Sequence, residues 1–305
     1  AAALVRTAPQ ATVLLVTGSD QADQLGLPPN VGTLKLPSIK KVANETYTSR
    51  HLRISPCDLW RLRSELIKGA VTSFQPAVIL VDRHPLGVGS ELVPTLETHR
   101  AAGGRAALGL RDILDSRGSI RNEWKPDLFE KQILEYYDKV LIYGQPEVFD
   151  PISQYDFPKS VAERTSFCGY VIHKLATNGQ DSDTPPGPLA GQTLLPIVLA
   201  TAGGGEDGFS ILETFIGAAS THHWKGIAVS GPMAPPRDNE TLRRIAARTG
   251  VVFNTFVPSL SRWFGMADAL VCMGGYNTLV EAAFLGIPIV CVPRIYPRSE
   301  QLIRA

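Results

Sequence analysis

Short runs of β-branched and aliphatic residues alternate with stretches whose apolar positions recur every three or four residues, the pattern of parallel strands separated by covering helices. In the first half the runs are ATVLLVTG (11–18), GTLKLP (32–37), PAVILVD (76–82), RAALGLRD (105–112) and KVLIYG (139–144), with helices predicted over 58–73 and 89–102. In the second half the runs are LPIVLATA (195–202), KGIAVSG (225–231), VVFNTFV (251–257), ALVCMGG (269–275) and PIVCVP (288–293). Helices are predicted there from 209 to about 222, over 238–248 and over 277–285. The fold class is α/β with doubly wound parallel sheets. Residues 176–192 (ATNGQDSDTPPGPLAGQ) combine Gly, Pro, Ser and Asp with few apolar side chains and read as a linker, dividing the chain into 1–175, 176–192 and 193–305. Both ends read as cut: AAALVRTAP is the tail of a helix without an N-cap, and SEQLIRA opens a helix that stops within two turns. The expectation is a fragment lacking its first strand and its C-terminal end.

Composition excludes several classes. The chain has 305 residues, 44% hydrophobic and 19% charged, enough for two domains with their own cores and incompatible with disorder. Thirty Lys and Arg against 29 Asp and Glu leave a net charge of +1, so no nucleic-acid partner is expected and any anion must be held locally. Cys57, Cys168, Cys272 and Cys291 lack metal-ligand spacing. Cys272 and Cys291 sit in apolar runs and are expected in the core. No metal and no cofactor is predicted. No run reaches the roughly 18 apolar residues of a membrane span, and no basic-then-apolar leader opens the chain, so a cytoplasmic protein is expected.

The chemistry concentrates at strand ends, because the carboxyl ends of a parallel sheet face the ligand crevice. In TAGGGEDGFS (201–210), Gly203, Gly204, Gly205 and Gly208 remove side chains between a strand and a helix whose N-terminal amides and dipole suit a phosphate or diphosphate. A tight turn without ligand is the competing reading. ALVCMGGYNTLVEAAFLG repeats the pattern: strand, Gly274 and Gly275, then a helix capped near Asn277 or Thr278 with Glu281 on its first turns. A carboxylate there can accept both hydroxyls of a ribose, or it can complement the helix dipole or close a capping box with Thr278. Two such helix starts in one domain favour a nucleoside diphosphate. A dinucleotide site would place an acidic residue at the end of the second strand, where Val229, Ser230 and Gly231 stand, and a P-loop would need a lysine after its glycines.

The stretch FVPSLSRWFGMADALVCMGGYNTLVEAAFLGIPIVCVPR, followed by SEQLIRA, resembles the nucleotide-sugar domain of family 28 glycosyltransferases, the MurG-like group with the GT-B fold. Similarity is clearest over 194–305. The first half, with VDRHPLG, LGLRDIL and IYGQPEVFDP, resembles predicted glycosyltransferases of the same superfamily. The resemblance implies two Rossmann-like domains facing a cleft and a nucleoside diphosphate sugar donor, UDP-linked first. It assigns Glu281 to the ribose hydroxyls, Gly274 and Gly275 to the turn at that helix, and Gly203 to Gly205 to the diphosphate. Phe256 and Val257 match the strand-end pair bordering the base, and Glu300 and Gln301 match side chains that contact donor-sugar hydroxyls. Gly205 replaces the family's usual serine, and the loop is one residue longer.

Catalytic candidates lie in the first half. Asp82, Arg83 and His84 follow one strand and Arg111 with Asp112 another, on the side expected for the acceptor. Asp82 or His84 could take the proton of an acceptor hydroxyl, or the three could form an ion-paired turn before Pro85. The superfamily's acceptor loop after the first strand, which often supplies the base, is expected to precede Ala1. His51, His99, His173, His222 and His223 match no metal or hydrolase motif and are expected at surfaces or helix ends. The expected reaction is inverting, metal-independent sugar transfer to an acceptor the sequence does not identify. A nucleotide-sugar hydrolase of the same fold, or a binding protein without turnover, are the alternatives.

Overall fold

The apolar runs form the strands of parallel sheets, and two such sheets organise the chain. The computed structural model describes residues 1–20, 22, 27–43, 46–172, 195–219, 223–257, 260–296 and 298–305, so the linker expected over 176–192 lies outside the described residues, as do His173 and His222. The chain forms two compact units, Ala1–Asp112 with Arg117–Gly169, and Ile113–Ser116 with Tyr170–Ala305.

The first unit begins with α1 (Ala2–Thr7), β1 (Val13–Thr17) and β2 (Val31–Lys35), the two strands pairing in parallel. An antiparallel hairpin follows, β3 (Ile39–Ala43) and β4 (Thr46–Ser49). Helix α2 (Pro56–Phe74) starts where the Ser55 hydroxyl accepts from Asp58 N–H, and it ends at Gln75 in the left-handed conformation. A four-stranded parallel sheet is then built in sequence order from β5 (Val78–Asp82), β6 (Arg105–Arg111), β7 (Lys139–Tyr143) and β8 (Thr165–Phe167). Helix α3 (Val93–Ala101) joins the first two of these strands, and α4 (Arg117–Trp124) with α5 (Pro126–Tyr136) joins the next two. The short α6 (Pro151–Gln154) and α7 (Lys159–Ala162) lead to β8. Leu108, Leu110, Val140 and Ile142 are fully buried at its centre.

The expected helix 89–102 begins four residues late. Ser90 takes a positive φ, and a side chain at Gly89 would overlap the Trp60 ring, so the chain turns tightly before Val93 and Pro94 open the helix. The hairpin and β8 lie outside the expected strands, since IKKVA, TYTS and TSF carry polar residues where the other strands carry apolar runs.

The second unit consists of β9 (Ile197–Thr201), α8 (Phe209–Ala219), β10 (Lys225–Val229), α9 (Pro236–Thr249), β11 (Val252–Asn254), α10 (Leu260–Phe264), β12 (Ala269–Cys272), α11 (Tyr276–Phe284), β13 (Ile289–Cys291) and α12 (Glu300–Arg304). All five strands are parallel in the order β11-β10-β9-β12-β13. Successive β9 residues point to opposite faces. Leu199 joins Ile227, Leu270 and Trp263 on one face, and Ala200 joins Leu212, Phe215, Ile216 and Leu242 on the other. Helices α8 and α9 cover the second face and α10 and α11 the first, which is the doubly wound arrangement. The run 251–257 is a strand over only three residues, and Val257 instead turns into the core. Cys272 is buried as expected, and burial raises its thiol to about 11; Cys291 is half-buried. No helix of the described residues is long and apolar enough to cross a membrane, and no group of metal-binding side chains occurs among them.

Two polar clusters anchor the first unit. Arg63 of α2 donates to Glu91 through Nη2 at 2.8 Å and Nε at 3.2 Å, and its Nη1 donates to the Pro37 carbonyl at 2.6 Å. The side chains are 8% and 5% exposed, so removing one partner leaves a buried charge. Glu91→Ala should destabilise the chain by about 3–5 kcal/mol in chemical denaturation, with Arg63→Met/Glu91→Leu costing less than either single change.

At the carboxyl ends of β1 and β2, Asp20 accepts from Lys35 Nζ at 2.7 Å, Ser38 Oγ at 2.6 Å and His51 Nε2 at 3.1 Å. Those hydrogen bonds, Lys35's first, hold its carboxyl well below the usual carboxylate range. A depressed folded-state pKa contributes stability above the unfolded value of about 3.9 that is lost as pH falls through the folded one. Denaturation midpoints of Asp20→Asn should therefore lie below wild type at pH 7, with the gap narrowing below about pH 4.

Candidate functional site

In the second unit β9 and β12 are neighbours while β10 and β11 lie on the far side of β9, so strand order reverses between β9 and β12. Ligands of open α/β sheets bind outside the carboxyl ends at such a point. Both glycine-rich turns leave from there, one after Thr201 and one after Cys272.

The glycines of the first turn have separate tasks. Gly203 is exposed with φ +64°, and Gly205 is buried with φ +97°. A Cβ at Gly205 would overlap the Ser230 carbonyl, and one at Gly231 would overlap the Gly203 carbonyl, so this turn lies backbone to backbone against the turn after β10. Met233 N–H donates to the Gly204 carbonyl at 2.8 Å across the same contact. A Cβ at Gly208 would overlap that of Ala202, making Gly208 the glycine that brings α8 onto its strand. Gly205 N–H is already spent on the Ala202 carbonyl at 3.2 Å, whereas Gly204 N–H has no partner among the described residues. Gly203 therefore forms the open part of the turn, and Gly204 beside it lies under the Met233 side chain with its N–H unused.

At the second turn Gly274 has φ +80°, and a Cβ there would lie 3.0 Å from Cys291 Sγ and 3.2 Å from the Gln301 carbonyl. Arg304 Nη1 holds the Gly274 carbonyl at 3.0 Å, with the guanidinium 5.7 Å above the Tyr276 ring. Gly275, not Asn277 or Thr278, is the N-cap of α11; it makes no side-chain cap, and a Cβ on it would meet nothing within 4 Å. Asn277 and Thr278 thus lie within the first turn, exposed and half-buried, and Glu281 is half-buried one turn further on. That position is too far along for a capping box with Thr278. Phe256 is half-buried beyond β11, and Val257 faces the core.

A third element closes on these turns through Arg294, which the sequence reading passed over. Its Nη1 donates to Asp207 of the first turn at 2.9 Å and its Nη2 to Glu300 at 2.8 Å, while its backbone N–H donates to Gln301 Oε1 at 3.1 Å. Burial disfavours the charged guanidinium, but the hydrogen bond of Asp207 and the attraction of Glu300 outweigh it and hold Arg294 above the ordinary arginine range. Its sequence signal was placement: an arginine directly after PIVCVP at a strand's carboxyl end.

The first unit gathers its candidates at the carboxyl ends of β5, β6 and β7. Arg83 adopts φ +67°, and its N–H donates to the Gly109 carbonyl. The carboxylate beside His84 is that of Glu123 in α4, 3.7 Å from His84 Nδ1 and 3.7 Å from Arg83 Nη2. Asp82 is exposed on the same turn, and its carboxylate makes no hydrogen bond or ion pair among the described residues. Arg111 is exposed, whereas Asp112 is buried against Gly144. His51, exposed as expected, is a partner of Asp20.

No family model matches the chain. Among curated proteins it is 34% identical over 111 residues to a UDP-N-acetylglucosamine–N-acetylmuramyl-(pentapeptide) pyrophosphoryl-undecaprenol N-acetylglucosamine transferase of Rhodococcus opacus. It is 31% identical over 110 residues to the transferase of the same name from Corynebacterium efficiens. The chain spans 28% of the length of the first and 29% of the second, and the matches cover 35% and 36% of the chain. Similar solved structures include the glycosyltransferase SnogD from Streptomyces nogalater, with TM-score 0.57 and 14% identity over 98% of this chain and 78% of that one. Acinetobacter baumannii MurG has TM-score 0.52 and 11% identity over 99% and 75%. A ugt transferase from Siraitia grosvenorii, solved in complex with UDP, has TM-score 0.53 and 11% identity over 99% and 77%. The chain has the GT-B fold and is similar in sequence to the MurG-type glycosyltransferases of family 28.

Proposed function

We propose that this chain is a glycosyltransferase whose second unit binds a nucleoside diphosphate sugar, UDP-linked in the first instance, and that it inverts the anomeric centre without a metal ion. The observation that carries this reading is the pair of glycine turns flanking the reversal of strand order, with Glu281 on the helix that leaves the second turn and Glu300 and Gln301 on α12, whose start packs against Gly274 of that turn. The names of the curated relatives and the UDP complex of one structural neighbour support it.

In this reading Gly203 offers open backbone and Gly204 a free N–H to the diphosphate, and the uncapped amides of α11 add positive potential. Fixed dipoles of that kind stabilise the departing diphosphate without reorganising. Glu281 takes the ribose hydroxyls, Phe256 and Val257 border the base through their backbone, and Glu300 with Gln301 takes hydroxyls of the sugar. Inversion requires one displacement, with a base removing the acceptor proton. Asp82 or His84 fills that role, with Glu123 orienting His84, and Arg83, Arg111 and Asp112 lie on the acceptor side. We place the protein in the cytoplasm, a reading supported by its four unpaired cysteines.

Titration calorimetry with UDP checks the donor site: Glu281→Gln should weaken binding by about 1.5–3 kcal/mol, as for a charge-assisted hydrogen bond, and unchanged affinity would remove Glu281 from it.

The base is checked by product formation from UDP-sugars over a panel of acceptors. His84→Ala or Asp82→Asn should lower kcat by roughly 10²–10⁴-fold while UDP affinity holds. The Asp20–His51 pair supports a second placement of the base. Loss of turnover in His51→Ala alone would move it there.

A further inference from the structure

Arg294 joins two parts of the second unit that are 87 positions apart in the chain, Asp207 in the turn after β9 and the strand end that leads to α12. Its side chain is 24% exposed and that of Glu300 16%. The contact with Glu300 is an incomplete fork. Nη2 meets Oε1, while Arg294 Nε and Glu300 Oε2 are both buried and neither makes a hydrogen bond. A guanidinium and carboxylate side by side would satisfy both atoms at once, so the observed pairing leaves a buried anionic acceptor open. The neighbouring Gln301 is fixed through its oxygen by Arg294 N–H, and its Nε2 donor has no partner among the described residues. Arginine thus holds one atom of each side chain and leaves the other, an acceptor on Glu300 and a donor on Gln301. Hydroxyl groups of a sugar can give and take hydrogen bonds at such a pair.

We propose that Arg294 is a positioning residue for donor-sugar recognition, fixing Glu300 and Gln301 for the sugar and tying them through Asp207 to the turn that receives the diphosphate. This rests on the donor-site reading above. Arg294 contacts no ligand in it; Asp207 and Glu300 occupy its two terminal nitrogens, and its backbone occupies Gln301. The consequence is selective: losing Arg294 frees the two sugar-facing side chains to take other rotamers, while Gly203, Gly204 and α11 keep their backbone.

The test is calorimetry on the full chain with two probes, UDP and UDP-N-acetylglucosamine, for wild type, Arg294→Ala, Arg294→Lys and Asp207→Asn. Wild type should bind the sugar nucleotide more tightly than UDP. Arg294→Ala should weaken UDP-N-acetylglucosamine tenfold or more while changing UDP by less than about threefold, Arg294→Lys should recover part of the loss, and the exposed Asp207→Asn should show the same selectivity at smaller amplitude. Should Arg294→Ala fail to fold, Arg294→Lys and Asp207→Asn carry the comparison. Equal losses for both probes would overturn the proposal by making Arg294 a phosphate ligand or a general support, and so would unchanged UDP-N-acetylglucosamine affinity in folded Arg294→Ala. Wild type that binds neither probe would overturn the donor-site reading and this inference with it, a result separable from the others because it appears before any substitution.

Discussion

The proposed donor site depends on the reversal of strand order beside β9. With β10 on one flank and β12 on the other, the turns leaving β9 and β12 diverge to opposite faces of the sheet, and the space between their carboxyl ends is left without a covering helix. Close packing then sets the shape of each turn. Gly205, Gly208 and Gly231 are needed because backbone or Cβ atoms stand where their side chains would go. Gly203 and Gly275 have open space instead. The packed glycines hold the frame, and the open ones are the surface a ligand could approach.

Buried charge is handled alike in the two units. Arg63 in the first and Arg294 in the second each reach more than one acceptor on separate segments, so a costly desolvation is offset by several charge-assisted hydrogen bonds. The difference lies in what is left over. The Arg63 and Glu91 fork is complete, using both carboxylate oxygens, and serves packing, whereas the Arg294 contact leaves a carboxylate oxygen of Glu300 open. A buried acceptor left unsatisfied calls for a reason, and the proposed sugar hydroxyl gives Glu300 one.

Much of this was legible beforehand. Apolar runs marked ten of the thirteen strands among the described residues, and most predicted helices lie within a few residues of those observed, because a parallel sheet imposes continuous apolar runs and the covering helices need a 3.6-residue repeat. The two glycine turns were visible for the same reason, being breaks between strongly patterned segments. The hairpin at Ile39–Ala43 and Thr46–Ser49 and the late start of α3 were not, since the first carries polar residues where the other strands carry apolar runs and the second depends on a tryptophan 29 positions away.

The sequence by itself determined the α/β class, the carboxyl-end glycine turns and which residues stand on them, since these follow from local pattern and backbone sterics. Tertiary structure alone decided which glycine is packed and which is open, that His84 faces Glu123 rather than Asp82, and that Arg294 spans from Asp207 to Glu300. Those facts depend on contacts between segments far apart in the chain, and periodicity, which reports only a residue's own neighbours, carries no information about them.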